Sequence, residues 1–257
     1  MSRPRHPGVV ALVLAAGQGT RKKSDLAKVL HPMAGRPLLT YVLDALAALG
    51  VDRVLVVVGY QRERVMERFP DPGIEWMIQA EQRGTGHAAM MAAPALRGFA
   101  GTLLVVCGDT PLLRPETLEQ LLRQHAESGA AATVLSMRLP DPKGYGRIVR
   151  DPGGGLAAIV EERDATAEQR ALDEVNSGNY AFDYLSLAGV LSALGSHNAQ
   201  GEYYLTDTIG LLRAQGRLTA ARCAPDYREL LGVNTPEQLA EAERIHLARV
   251  AESEARR

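Results

Sequence analysis

The stretch Val9-Val10-Ala11-Leu12-Val13-Leu14-Ala15-Ala16-Gly17-Gln18-Gly19-Thr20-Arg21 decides the fold. From Val9 to Ala16 it is apolar without alternation and rich in β-branched residues, the pattern of a strand buried on both faces of a parallel sheet. Gly17 and Gly19 then release the chain into a loop. Arg3 and Arg5 ahead of the run, with Ala15-Ala16-Gly17 behind it, also resemble a short secretory leader and its cleavage site. The continuation past Gly17 favours the strand. Elsewhere no stretch approaches the ~20 apolar residues of a membrane-spanning helix.

Strands and helices alternate outward from this run. Pro37 opens a segment with Leu38, Leu39, Val42, Leu43, Leu46 and Leu49 at helical spacing, closed by Gly50. Residues 53–58 form a valine-rich strand closed by Gly59, and residues 75–78 a weaker one. A small-residue helix follows Gly86 through Met90 and Met91 toward Pro94. Residues 102–107 predict another buried strand, residues 115–127 a helix begun by Pro115 with Leu118, Leu121 and Leu122 inward, and residues 132–137 a strand. The expected fold is α/β, Rossmann-like, with a mixed, mostly parallel sheet and helices on both faces.

The second half is less regular. A proline and glycine-rich stretch, residues 140–155, interrupts short strands at 147–149 and 156–160 and reads as a substrate-side subregion. Further strands are expected at 175–182, 218–223 and 230–233, and a helix over 236–252. Residues 8–234 are expected to form one domain and 235–257 a C-terminal helix or linker.

Composition narrows the partners. The chain has 257 residues, 46% hydrophobic and 23% charged, with a formal net charge of −1, enough apolar surface for a sizeable core. Near-neutrality removes the global positive field that drives binding to nucleic acid or to an anionic membrane. Cys107 and Cys223 are the only cysteines, which fits neither a disulfide framework nor a zinc site and suits a reducing cytoplasm.

Ligands in open α/β sheets sit at the carboxyl ends of strands, so chemistry is sought in the loops that follow them. The backbone amides of Leu14-Ala15-Ala16-Gly17-Gln18-Gly19-Thr20-Arg21 can converge on an anion. The dinucleotide fingerprint would require glycine where Lys22 stands, and the Walker spacing fails as well. What remains is a phosphate-suited loop followed by two cations, Arg21 and Lys28, able to neutralise a triphosphate.

This loop, Leu-Ala-Ala-Gly-x-Gly-Thr-Arg, with Lys28-Val29-Leu30-His31-Pro32 after it, resembles the N-terminal motif of the N-acetylglucosamine-1-phosphate uridylyltransferases. These are the pyrophosphorylase halves of bifunctional bacterial enzymes. The resemblance runs over roughly residues 9–240 with its motifs in order. It implies a nucleotide-diphospho-sugar transferase fold, Arg21 and Lys28 as catalytic cations, and Leu14, Ala15, Ala16, Gly17 and Lys28 around the nucleotide.

In Gln79-Ala80-Glu81-Gln82-Arg83-Gly84-Thr85-Gly86-His87, the family's uracil-reading positions fall on Gln79 and Gly84, with Thr85 beside them. In Cys107-Gly108-Asp109 the resemblance extends the nucleotide site and makes Asp109 a magnesium ligand, with Asn234 as a second contact. One strand-end carboxylate suffices, because Mg²⁺ completes its shell with phosphate and water. Gly144-Tyr145-Gly146, Ile159-Val160-Glu161 and Asn176-Ser177-Gly178 occur in the order that the family uses for the sugar, which implies Gly146, Glu161, Asn176 and Asn234 as sugar-side residues. Gly201-Glu202-Tyr203-Tyr204-Leu205-Thr206-Asp207 is assigned mainly to shaping that sugar pocket. The family usually has proline where Ala27 stands and often an aromatic residue where Cys107 stands.

The implied reaction joins UTP and N-acetylglucosamine-1-phosphate with Mg²⁺ as cofactor, in a cytoplasmic monomer with no nucleic-acid or membrane partner. The hexapeptide repeats of a left-handed β-helix do not follow Pro236, so acetyl transfer is expected to be absent. Two alternatives stand beside this reading: a nucleotidyltransferase for another sugar or base, and a silent sugar-nucleotide-binding regulatory subunit.

Overall fold

The structure, a computed structural model, describes residues 6–18 and 26–255. In chain order the elements begin with β1 (His6–Ala15), a small hairpin of β2 (Pro32–Met33) and β3 (Arg36–Pro37), α1 (Leu38–Leu49), β4 (Val51–Val58), α2 (Arg62–Arg68) and β5 (Ile74–Ile78). Next come α3 (Thr85–Met91), β6 (Thr102–Cys107), α4 (Pro115–Ser128), β7 (Ala132–Arg138), β8 (Arg147–Arg150) and β9 (Leu156–Val160). The chain then runs through α5 (Ala167–Arg170), β10 (Glu174–Asp183), α6 (Tyr184–Leu191), α7 (Asp207–Ala214), β11 (Thr219–Cys223) and α8 (Pro236–Glu254).

Among the described residues the main sheet runs β11-β7-β10-β6-β1-β4-β5, with β8 pairing to β10 and β9 to β8. β1 is parallel to both β4 and β6, β4 to β5, and β11 to β7. β10 runs antiparallel to β6 and β7. The sheet is therefore mixed and mostly parallel, as the strand–helix alternation implied. From β1 the chain builds outward to β4 and β5 on one side, then crosses to β6 on the other, so strand order reverses between β1 and β6. Such a reversal opens a crevice at the carboxyl edge.

The two faces of β1 explain its unbroken hydrophobicity. Val9, Ala11, Val13 and Ala15 pack with Leu39, Val42 and Leu46 of α1 and Leu118, Leu121 and Leu122 of α4. Val10 and Leu12 pack with Ala88 and Ala89 of α3, Leu187 and Val190 of α6, and Ile209 and Leu212 of α7. Alternate residues thus enter opposite cores, and neither face meets water. A third cluster seats α8 by Ala242 and Ile245 against Met33, Leu38, Tyr41, Leu112 and Val233. Among the described residues no helix is long and apolar enough to cross a membrane.

The structure corrects one expected strand. Residues 227–230 form a 3-10 turn and residues 231–234 are irregular. Leu230 and Val233 are both fully buried, but in different cores, one against the α1/α4 face and the other under α8. Their apolar signal comes from plugging two cores, not from a ladder. The short helices α2, α5, α6 and α7 and the β2–β3 hairpin go beyond the elements read from sequence.

Candidate active site

Leu14 and Cys107 are partners at the carboxyl ends of β1 and β6, and the Gly108 amide donates to the Leu14 carbonyl at 3.0 Å. The two strand ends therefore release their loops at one level. A cavity of about 400 Å³ opens there. Its wall holds Leu14, Ala15, Ala16, Gly17, Lys28, Gln79, Gly84, Thr85, Cys107 and Asp109, drawn from segments far apart in sequence. Gln18, Val29, Gln82 and Ala88, which were not singled out from sequence, complete it together with Glu202, from the segment expected mainly to shape the sugar pocket. Gly108 lies beneath, where a side chain would come within 3.2 Å of the Ala15 Cβ. Arg21 lies outside the described residues.

Lys28 begins a single 3-10 turn, Lys28–Leu30. The Ala27 amide ahead of it donates to Gln61 Oε1 at 2.9 Å, a bond that a proline, lacking the N–H, could not make. Gln61 thereby ties down the backbone at the position where the family has a ring. The Lys28 ammonium donates to Asp109 Oδ2 and, at 2.5 Å, to Asn234 Oδ1. With side chains only 16% and 18% exposed, the Lys28–Asp109 pair acts across a medium of reduced polarity. Asn234 is held in turn: the Val233 amide donates to the Asp109 carbonyl at 2.9 Å, and the Asn234 amide donates to Gln238 Oε1 at 2.6 Å in the capping box of α8.

The opposite wall is the turn into α3. Gly84 has φ 102°, and an added Cβ would sit 2.5 Å from the Tyr203 carbonyl oxygen, so only glycine fits. Around it, Tyr203 N–H donates to Arg83 C=O and Gly86 N–H to Tyr203 C=O, each at 2.8 Å. Leu205 N–H donates to Thr85 Oγ1 at 3.1 Å. The segment expected mainly to shape a sugar pocket therefore divides: Glu202 completes the strand-end cavity, Tyr203 braces the Arg83–Gly86 turn behind it, and Thr206 donates to Glu161 at 3.1 Å.

Glu161, Gly146 and Asn176 form a second cluster beside the cavity, not in its wall. Asn176 N–H donates to Gly146 C=O at 2.8 Å, and the Asn176 side chain donates to the Tyr180 hydroxyl at 2.7 Å. Glu161 sits over Gly146, where a Cβ would meet its carboxylate at 3.3 Å. The pairing of β10 with β7 slips between Asn176 and Asn179, a bulge that re-aims side chains near a site. Within it Gly178, at φ 79°, leaves room for the Cys107 sulfur, which a Cβ would approach to 2.6 Å. Asn179 Oδ1 accepts from the Cys107 amide at 3.1 Å. Asn234, expected on the sugar side as well as at the metal, accepts from Lys28 at 2.5 Å.

Burial sets the protonation of several groups here. The Cys107 thiol is pushed up to about 12 by burial, with the Asp109 carboxylate adding to the shift and Lys28 opposing it. Burial also raises Glu161, against the hydrogen bond from Thr206. Tyr145 is raised by burial and by Asp109. Among the described residues no group of three or more His, Cys, Asp or Glu side chains could hold a metal. Asp109 Oδ2 and Asn234 Oδ1 instead offer two hard oxygens converging on one cationic point.

A mostly parallel sheet with a strand-end cavity and a lysine shared by two oxygen side chains defines a nucleotidyltransferase-type fold. The profile of the MobA-like NTP transferase domain matches residues 11–151, and the chain belongs to that family. It is 51% identical to "Bifunctional protein GlmU" of Thermobifida fusca, over 98% of this chain and 52% of that protein. With the protein of the same name from Pelobacter propionicus the identity is 49%, over 94% and 53%. The chain spans about half the length of these relatives. Among solved structures it resembles a UDP-glucose pyrophosphorylase complexed with UDP-glucose, with a TM-score of 0.76 and 18% identity over 93% of this chain and 98% of that one. A second likeness, to HddC from Yersinia pseudotuberculosis complexed with GMP-PN, has a TM-score of 0.67 and 19% identity over 92% and 99%. At such identities both show the fold alone.

Proposed function

We propose that the chain is a cytoplasmic uridylyltransferase that joins UTP and N-acetylglucosamine-1-phosphate into UDP-N-acetylglucosamine, a cell-wall precursor, with release of pyrophosphate. The observation that carries this reading is the Lys28 ammonium held between Asp109 and Asn234 at the mouth of the strand-end cavity. Nucleotidyl transfer requires two anions to meet in line, so positioning and charge neutralisation supply most of the catalysis.

The backbone of residues 14–17 receives the nucleotide, and Gln79, Gly84 and Thr85 receive its base. Gly146, Glu161 and Asn176 hold the sugar. A phosphate oxygen of the sugar phosphate attacks the α-phosphorus of UTP. The bond from that phosphorus to the bridging oxygen breaks, and pyrophosphate leaves with the bonding electrons. No general base is needed, because the attacking phosphate is already ionised at neutral pH. Lys28, with Arg21, balances the charge that gathers on the oxygens.

The convergence of Asp109 and Asn234 on the Lys28 nitrogen supports the fit of Mg²⁺, which those two oxygens would hold in place of the Lys28 ammonium, leaving Lys28 to the phosphates, with phosphate and water completing the metal's shell. When bound, Mg²⁺ would add Lewis-acid stabilisation of the phosphate charge. The test is pyrophosphate release across a panel of triphosphates and sugar phosphates. Release is expected with UTP, N-acetylglucosamine-1-phosphate and Mg²⁺ together. No release at high protein concentration, or release with every pair alike, would overturn the proposal.

A further inference from the structure

The corner between β4 and α2 contributes no residue to the cavity wall, yet it grips both ends of the loop that leaves β1. At the near end the Tyr60 amide donates to the Ala16 carbonyl at 3.2 Å. At the far end the Ala27 amide donates to Gln61 Oε1 at 2.9 Å. Ala27 is 1% exposed and lies with Val29 and Leu30 in the core under α1, so water cannot take over from Gln61 while the backbone stays in place. Gln61 reaches Ala27 from φ 51°, ψ 35° at the start of α2. Among the described residues one other non-glycine, Ala34, has a positive φ. Glycine would sit at position 61 unstrained but has no side chain to offer, which points to a use for this one.

We infer that Gln61 is a positioning residue for Lys28: its side-chain oxygen fixes the backbone one residue before the lysine and so places the ammonium in advance of the phosphates. This rests on the reading of Lys28 as the cation that neutralises the UTP phosphates. Lys28 opens a single 3-10 turn, closed by the Leu30 amide on the Ala27 carbonyl at 2.9 Å. Ala27 is therefore held on its amide side by Gln61 and on its carbonyl side by the turn that carries Lys28. Without the acceptor the buried N–H must find another partner, and the turn moves with it; a misplacement of about 1 Å can cost about 10² in rate. The same restraint can be built without a glutamine. Ala27 has φ −55°, ψ 138°, within the range that proline imposes, and proline has no N–H to satisfy. Its ring would take the place of the amide hydrogen, against Gln61 Oε1. Gln61 and the substitution Ala27→Pro are thus alternative solutions that exclude each other.

The experiment is a double-mutant cycle read as kcat per folded molecule, with the folded fraction taken from circular dichroism at the assay temperature. Gln61→Ala and Ala27→Pro are each expected to lower kcat about tenfold and to hold KM for the sugar phosphate within about twofold. In the double variant the ring has room and no donor is left unpaired, so kcat is expected within about threefold of the wild type, whereas independent losses would multiply to about 10². A glutamine with a merely structural role would lower the folded fraction and leave kcat per folded molecule unchanged. Should Ala27→Pro not fold, Gln61→Glu keeps an acceptor for the Ala27 amide and is expected to hold kcat within about threefold. Wild-type kcat in Gln61→Ala, a double variant no faster than the single ones, or equal loss in Gln61→Glu and Gln61→Ala overturns the inference. A wild type without UTP turnover, or Lys28→Ala as fast as the wild type, overturns the proposed function instead, so the failures are distinguishable.

Discussion

The strand-end cavity and the β8–β10 cluster hang from one sheet but are assembled by different means. Much of the cavity wall sits at the ends of parallel strands: Leu14 to Gly17 at β1, Gln79 just past β5, Cys107 and Asp109 at β6. Its geometry is inherited from strands buried on both faces. The cluster of Gly146, Glu161 and Asn176 depends on a bulge in an antiparallel strand and on hydrogen bonds between short strands at the side of the sheet. On the proposed function, the strand-end part carries the nucleotide chemistry and the bulged part the choice of acceptor.

The first way to break that division is Asp109→Asn, which removes the carboxylate facing Lys28. Turnover is expected to fall by about 10²–10³ while circular dichroism stays native. A fall of less than about tenfold would remove Asp109 from the chemistry. Next, Asn176→Ala should raise KM for the sugar phosphate about tenfold and leave KM for UTP unchanged, as loss of one polar contact predicts. Equal changes in both KM values would merge the two regions into one.

Gly178 is the joint between them. Gly178→Ala puts a Cβ at φ 79° and against the Cys107 sulfur; a loss of about 1–3 kcal/mol is expected in denaturant unfolding. Cys107→Ala in the same chain should recover the steric part alone. Full recovery, or none, would show that the joint is not where the structure places it.

The smallest expected effect belongs to Glu161. Its folded pKa is raised, chiefly by burial, so its contribution to stability is fully present below the unfolded carboxylate pKa. That contribution is lost as pH rises through the folded value. Glu161→Gln mimics the protonated form. Its Tm should therefore match the wild type in acid and exceed it increasingly toward neutral pH. A difference that is constant with pH would mean that Glu161 pays no burial penalty.

Legibility in the sequence follows the same division. The strands of the parallel half bury both faces, so hydropathy alone marks residues 9–16, 53–58 and 102–107, and glycine or proline marks where α1 and α4 start and stop. The direction of β10 is set by neighbours remote in sequence, and its bulge at Ser177 and Gly178 has no local period. Leu230 and Val233 misled because burial in two separate cores imitates a strand. Leu14 to Gly17, Gln79, Cys107 and Asp109 could be brought to one wall from sequence because strand ends deliver them. Glu202 reaches the wall through tertiary contacts. The Ala27–Gln61 bond was equally hidden, since nothing local ties the start of α2 to the loop before Lys28.

The central claim of the proposed function is that Lys28, which lies between Asp109 and Asn234 in this structure, turns to the phosphates of UTP when Mg²⁺ takes those two oxygens, and neutralises them as the sugar phosphate attacks. Its most direct test is single-turnover formation of UDP-N-acetylglucosamine by wild type and Lys28→Ala at saturating UTP, N-acetylglucosamine-1-phosphate and Mg²⁺. The account predicts product from the wild type and a rate lower by about 10² or more in the variant. Equal rates in the two proteins would contradict it.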